Sequence, residues 1–175
     1  ADAEQSDKDL VANPYLFFEL TRYYQEPISF ATVDRGIFPG KAIELKHPLP
    51  ETARMDGPDE TRRLRALVVN VLHDAMAQGH SCLLRWQVIQ GIRGRELEPP
   101  LSLDQDTMEI FEEDCEKQVI ITEQGSDNPV YQLEERDEIC RKLRTCLLRV
   151  EKFDRFTSDQ DWNVALRANF GDPKT

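Results

Sequence analysis

No apolar run in this chain approaches the roughly 20 residues that cross a bilayer, which excludes a membrane-spanning helix. No secretory leader is expected from the opening ADAEQSDKDL, which is acidic and polar where a leader needs a basic end and then an apolar stretch. The four cysteines, Cys82, Cys115, Cys140 and Cys146, form no CxxC pair, and no histidine stands at zinc-finger spacing from them. That removes the usual signatures of a zinc ribbon or a disulfide scaffold. Three of the four fall on apolar faces of predicted helices, so reduced core thiols, a reducing compartment and no bound metal are expected. Positive charge is also short: 22 Lys and Arg stand against 33 Asp and Glu, a net −11 at pH 7. A protein that coats nucleic acid by bulk attraction is thereby excluded, since phosphate binding needs clustered cations.

The charge is unevenly placed. Residues 61–100 hold 6 bases and 3 acids, whereas residues 101–140 hold 2 bases and 13 acids. Any contact with a polyanion should use the first of these segments or the tail segment over 141–175, which holds 8 bases and 5 acids, and avoid the acidic helix.

Several catalytic signatures are missing. Gly36-Ile37-Phe38-Pro39-Gly40-Lys41 superficially resembles a phosphate-binding loop, but three residues rather than four separate the glycines, and Ala42 stands where a Ser or Thr would ligate magnesium. Pro39 further removes a backbone donor from any phosphate cradle. His47, His73 and His80 are scattered without a nucleophile or carboxylate at triad spacing, and His80 is expected to cap or pack the turn after Gly79. The run Glu112-Glu113-Asp114 with Glu116 lacks the order of a calcium loop and reads as a solvated helical face.

What is present is a series of periodic segments. Asn13-Pro14 reads as cap and first position of a helix over 14–24, with Phe17, Leu20 and Tyr24 on its apolar face. ISFATVDRGIF predicts a second short helix ended by Gly36. From Pro39 to Pro58 the prolines and glycines suggest an irregular linker with a short strand at AIEL. The strongest helix signal follows, where Leu64, Leu67, Val68, Val71, Leu72, Ala75 and Met76 repeat at three- and four-residue steps before Gly79. LLRWQVIQGI predicts a further short helix, and Asp104 caps an acidic one whose stripe is Met108, Phe111, Cys115 and Val119. VIITEQ and VYQL flank the turn-rich GSDNP and predict a hairpin. A last helix should close the core through Ile139, Leu143, Cys146, Leu147 and Val150, leaving a tail in which Trp162, Val164, Leu166 and Phe170 are apolar.

The order of these elements is that of a winged helix. The expected fold is therefore α+β and mostly helical: a small helical domain over 11–38, a linker over 39–58, a winged-helix module with a β-hairpin wing over 59–152, and a tail over 153–175.

Asn13-Pro14-Tyr15 followed by ISFATVDR, then RLRALVVNVLHDAMAQGHSCL, then VYQL and ERDEICRKLRTCLL, resembles as an ordered set the region preceding the motor of RecD-like superfamily 1 DNA helicases. Eukaryotic DNA helicase B shares the helix ending in Gly-His-Thr and the wing pattern. The likeness spans about Asn13 to Leu148. It implies a degenerate helix-hairpin-helix, a winged-helix module, and a non-catalytic role positioning DNA or a partner for an ATP-driven 5′-to-3′ motor outside this chain. It also implies a cytoplasmic location in a bacterium or a nuclear one in a eukaryote. ATP and magnesium would belong to that motor, and no cofactor is expected here. Family hairpins carry glycines whose amides approach phosphate, whereas Pro27-Ile28-Ser29 precedes Phe30 here, although Phe30, Asp34 and Arg35 keep matching positions.

Two sets of candidate residues follow. Weak, non-specific DNA contact would use Arg62, Arg63, Arg65, Arg85, Arg93 and Arg95; the alternative for the first three is pairing with Asp56, Asp59 or Glu60, or simple solvation. Docking of the motor domains or of a basic protein would use Asp106, Glu109, Glu113 and Glu116 on the acidic helix, where a DNA-reading winged helix would carry cations. A protein-interaction module without DNA binding is the alternative function. A free-standing transcription regulator is disfavoured by the same acidic helix.

Overall fold

The computed structural model describes residues 6–114, 119–122, 129–151 and 164. It is α+β, mostly helical, with a small three-stranded antiparallel sheet. Two compact units divide it at Glu138 and Ile139.

The first unit is organised around α5 (Thr61–Ala77), whose buried residues include Leu64, Leu67, Val68, Val71 and Leu72. The expected stop is realised at Gly79, whose φ of 93° only glycine adopts without strain. There the Gly79 and His80 amides donate to the Met76 and Ala75 carbonyls at 2.9 and 3.0 Å, which closes the open end of the helix. His80 thus caps the turn through its backbone. The helix α6 (Arg85–Arg93) lies so close to α5 that a β-carbon on Gly91 would stand 2.7 Å from Val71 Cγ1. In α7 (Gln105–Asp114), Asp104 Oδ1 accepts the Thr107 amide at 2.8 Å as the expected cap, and Met108 and Phe111 enter the core.

Strands β1 (Leu83–Leu84), β2 (Val119–Thr122) and β3 (Val130–Leu133) lie in the order β1-β3-β2. Ile121 pairs with Tyr131 and Leu83 with the same Tyr131 from the other side, so β3 is central. Val119, assigned from its spacing to the acidic helix, instead begins β2 and is buried there. The expected turn GSDNP and Cys115 fall outside the described residues, apart from Pro129.

Before α5 the chain departs further from expectation. In place of one helix over 14–24 there are α1 (Asp7–Ala12) and α2 (Leu16–Thr21). Asn13 ends α1 and does not start α2. The buried face of α2 carries Leu16, Phe18 and Glu19 with Tyr15 just before it, leaving Phe17, Leu20 and Tyr24 exposed. The reason is aromatic packing: Tyr15 stacks on Phe30 at 5.6 Å and Phe18 meets the same ring edge-on at 6.1 Å. Phe30 opens α3 (Phe30–Ile37), capped by Ser29 and continuing through Gly36. The segment AIEL forms the short, exposed helix α4 (Lys41–Lys46) where a strand was expected, followed by a 3-10 turn at Glu51–Ala53. Tyr15, Phe18, Phe30 and Ile37 join one core with Leu64, Leu67 and Val68, so the residues on both sides of the proline-rich segment are packed together.

The helix α8 (Glu134–Glu151) begins in the first unit and ends in the second. Its stripe does not close a core: Ile139 is 44% exposed and Leu147 68%, and Leu143, Cys146 and Val150 are exposed as well. Periodicity identifies a face that suits apolar cover without saying which surface supplies it. Core thiols are likewise not found among the described cysteines, since Cys82, Cys140 and Cys146 are all exposed.

Candidate functional site

The first turn of α5 holds three candidate DNA-binding arginines, and the fold uses all three internally. Arg63 is 0% exposed. Its Nε and Nη2 donate to the two oxygens of Asp34, each at 2.8 Å, while Nη2 also reaches the Pro99 carbonyl at 2.9 Å and Nη1 the Pro58 carbonyl at 3.1 Å. Its guanidinium lies 4.6 Å from the centre of the Phe38 ring. Asp34 also accepts the Tyr15 hydroxyl at 2.6 Å. Burial, reinforced by that bond to a carboxylate, pushes the Tyr15 phenol far above its ordinary value and keeps it a donor. The planar guanidinium fork suits such a shared, bidentate arrangement.

Arg62 spends its donors on Glu60 and on the carbonyls of Ala12, Thr52 and Arg54, the last at 2.8 Å, which fastens α1 and the 3-10 turn to α5. Arg65 meets the fully buried Glu19 at 3.1 Å. Burial raises the Glu19 carboxyl above its ordinary range, against the pull of Arg65 and Arg22. Arg22 extends this cluster to Glu135 in the first turn of α8 at 3.2 Å, and Tyr23 donates to the same carboxylate.

The other three candidates are engaged as well. Arg85 bridges to Glu112 at 2.5 Å and to Glu109 at 3.0 Å, and buried Tyr131 donates to Glu112, so α6, α7 and β3 meet at one polar junction. The bond to Glu112 holds Arg85 firmly protonated, and burial helped by the same carboxylate pushes the Tyr131 phenol upward. Arg93 donates to the Leu103 carbonyl at 2.6 Å, and Arg95 pairs with Asp74 at 2.6 Å.

The candidate docking face is only partly within the described residues. Asp106 and Glu109 are exposed on α7, but Glu109 has Arg85 as a neutralising partner that spacing along the sequence could not supply. The side chains of Glu113 and Glu116 lie outside the described residues.

The sequence reading missed the acceptors. It offered Asp56, Asp59 and Glu60 to the arginines of α5, of which only Glu60 is used; Asp59 instead accepts the Ser102 amide at 2.9 Å. Asp34 and Glu19 are the main acceptors. The sequence carried no local signal for this pairing, since Glu19 lies on the side of its helix opposite the expected stripe Phe17, Leu20 and Tyr24.

Among the described residues no group of three or more His, Cys, Asp or Glu side chains is placed to hold a metal, and no helix is long and apolar enough to cross a membrane. No family model, curated protein or solved structure matches the chain.

Proposed function

We propose that this chain is a non-catalytic accessory region of a RecD-like 5′-to-3′ DNA helicase, with a winged-helix module at its centre, and that it works by contacting protein rather than by gripping DNA. The element order α5-β1-α6-α7-β2-β3, with β1 beside β3 and β3 beside β2, supports the winged-helix part of this reading. The observation that carries the preference for protein is the engagement of all six candidate arginines, four of them in ion pairs with acids on other elements. A DNA-binding winged helix needs cations on its third helix, and α7 exposes Asp106 and Glu109 there instead.

Two experiments test the two parts. For the helicase assignment, the coding sequence downstream of Thr175 should contain a GxxxxGK[S/T] loop; a stop codon directly after it overturns that assignment. For the choice of partner, fluorescence anisotropy with single-stranded and duplex oligonucleotides should show salt-sensitive binding no tighter than roughly 10⁻⁴ to 10⁻⁶ M, the non-specific range. Saturable binding well below the micromolar range would return DNA to the site.

A further inference from the structure

The segment from α3 to the 3-10 turn lines a groove that the functional reading above does not use. One lobe, of about 910 Å³, lies between the start of α3 and the connection 95–100 after α6. A second, of about 950 Å³, runs from the end of α3 along α4 to Arg54 and Met55. Arg35, Glu98 and Pro100 line both, so the lobes are continuous. A third recess, of about 490 Å³, extends the second past Lys41 and Arg54 to Leu45 and Pro48.

The chemistry of the lining is specific. Apolar groups form the walls: Ile37, Phe38, Leu49, Met55 and Pro99 in the second lobe. Two large apolar side chains of α4 are left in water beside them, Ile43 at 58% and Leu45 at 87% exposure. Set among these are three exposed cations, Arg35, Lys41 and Arg54. None of the three pairs with a carboxylate among the described residues, and the one side-chain hydrogen bond they make is from Arg35 to the Ala31 carbonyl at 3.1 Å. Glu44 and Glu98 also stand on the rim of the second lobe, and Glu96 on the first.

That mixture discriminates between ligands. A nucleic-acid strand carries a negative charge at every nucleotide and would meet the three glutamates as well as the cations; the one aromatic ring of the second lobe, Phe38, is partly buried under Arg63 and unavailable for base stacking. A peptide can place carboxylates only where cations stand and apolar side chains between them. We infer that this groove binds a short extended peptide segment of another protein in which acidic residues alternate with large apolar ones, its carboxylates meeting Arg35, Lys41 and Arg54. This inference stands on the groove alone and does not depend on the helicase reading.

The test is selection of a displayed library of random short peptides on the 175-residue chain, followed by titration of the synthetic consensus peptide. The expected consensus combines Asp or Glu with Leu, Ile, Phe or Trp. Its affinity should fall by at least about tenfold, the worth of one charge-assisted contact, in Lys41→Glu with Arg54→Glu, and independently in Ile43→Asp, with circular dichroism unchanged. Glu109→Lys, on α7 and outside the groove lining, should leave it unaltered. Failure to enrich a consensus, a basic consensus, an affinity indifferent to the groove variants, or displacement of the peptide by oligo-dT would each overturn the inference.

Discussion

Two groups of three cations in this molecule differ in their spacing along the chain and, in the opposite sense, in their situation in the fold. Arg62, Arg63 and Arg65 crowd the first turn of α5, where the helix dipole disfavours them, and look available for a phosphate. Arg35, Lys41 and Arg54 are scattered along a segment rich in proline and glycine. Yet the crowded three are paired within the fold, and the scattered three form no ion pair among the described residues and stand beside an apolar groove. Density of positive charge along a chain is therefore a poor measure of its availability. A cation becomes a binding residue when no internal acceptor reaches it, and that is decided by packing.

The comparison breaks most readily at Arg63. If its role is internal, Arg63→Ala or Asp34→Ala leaves an unpaired buried charge and should cost about 3–5 kcal/mol in urea unfolding; a loss below about 1 kcal/mol would reclassify the pair as a surface contact. Arg85→Ala should cost less, about 1.5–3 kcal/mol, because Glu112 loses its charge-assisted partner but keeps the Tyr131 hydroxyl. An unchanged melting temperature would return Arg85 to the list of free cations.

A subtler test uses pH. Burial raises the Glu19 carboxyl, so the folded protein holds that proton to higher pH than the unfolded chain does. The associated stability is present below the unfolded value of about 4.3 and is lost as pH rises through the folded one. Glu19→Gln should flatten the stability-pH curve just above that value. An identical slope in the variant would show that Arg65 and Arg22 fully offset the burial.

The smallest effect belongs to the groove. Arg35→Ala, Lys41→Ala and Arg54→Ala should each change stability by no more than about 0.5 kcal/mol, as exposed side chains outside any ion pair do. A larger loss in any of them would mean that it holds the fold as the α5 arginines do, and the contrast would fail.

Local signals carried much of the fold. The apolar periodicity of α5, its stop at Gly79, the Asp104 cap and the β-branched residues of β2 and β3 are set by neighbours a few residues apart, and all are found in place. The short helices before α5 were harder to read, because α2 has only 6 residues and its burial follows Tyr15 and Phe18 onto Phe30 rather than the stripe Phe17, Leu20 and Tyr24. AIEL became helix α4, since alternation over four residues cannot separate a strand from one exposed helical turn.

The candidate site was legible only as an inventory of charges. Sequence determined that arginines would gather at the start of α5 and acids along α7. Tertiary structure decided their use, joining Arg63 to Asp34 across 29 positions and Arg65 to Glu19 across 46. Caps and periodicity act within a turn or two of helix, so a sequence displays them directly. The partner of a buried charge is whichever acceptor the packing of distant elements brings within about 3 Å, and the desolvation cost of leaving it unpaired makes that choice binding without marking it in the local sequence.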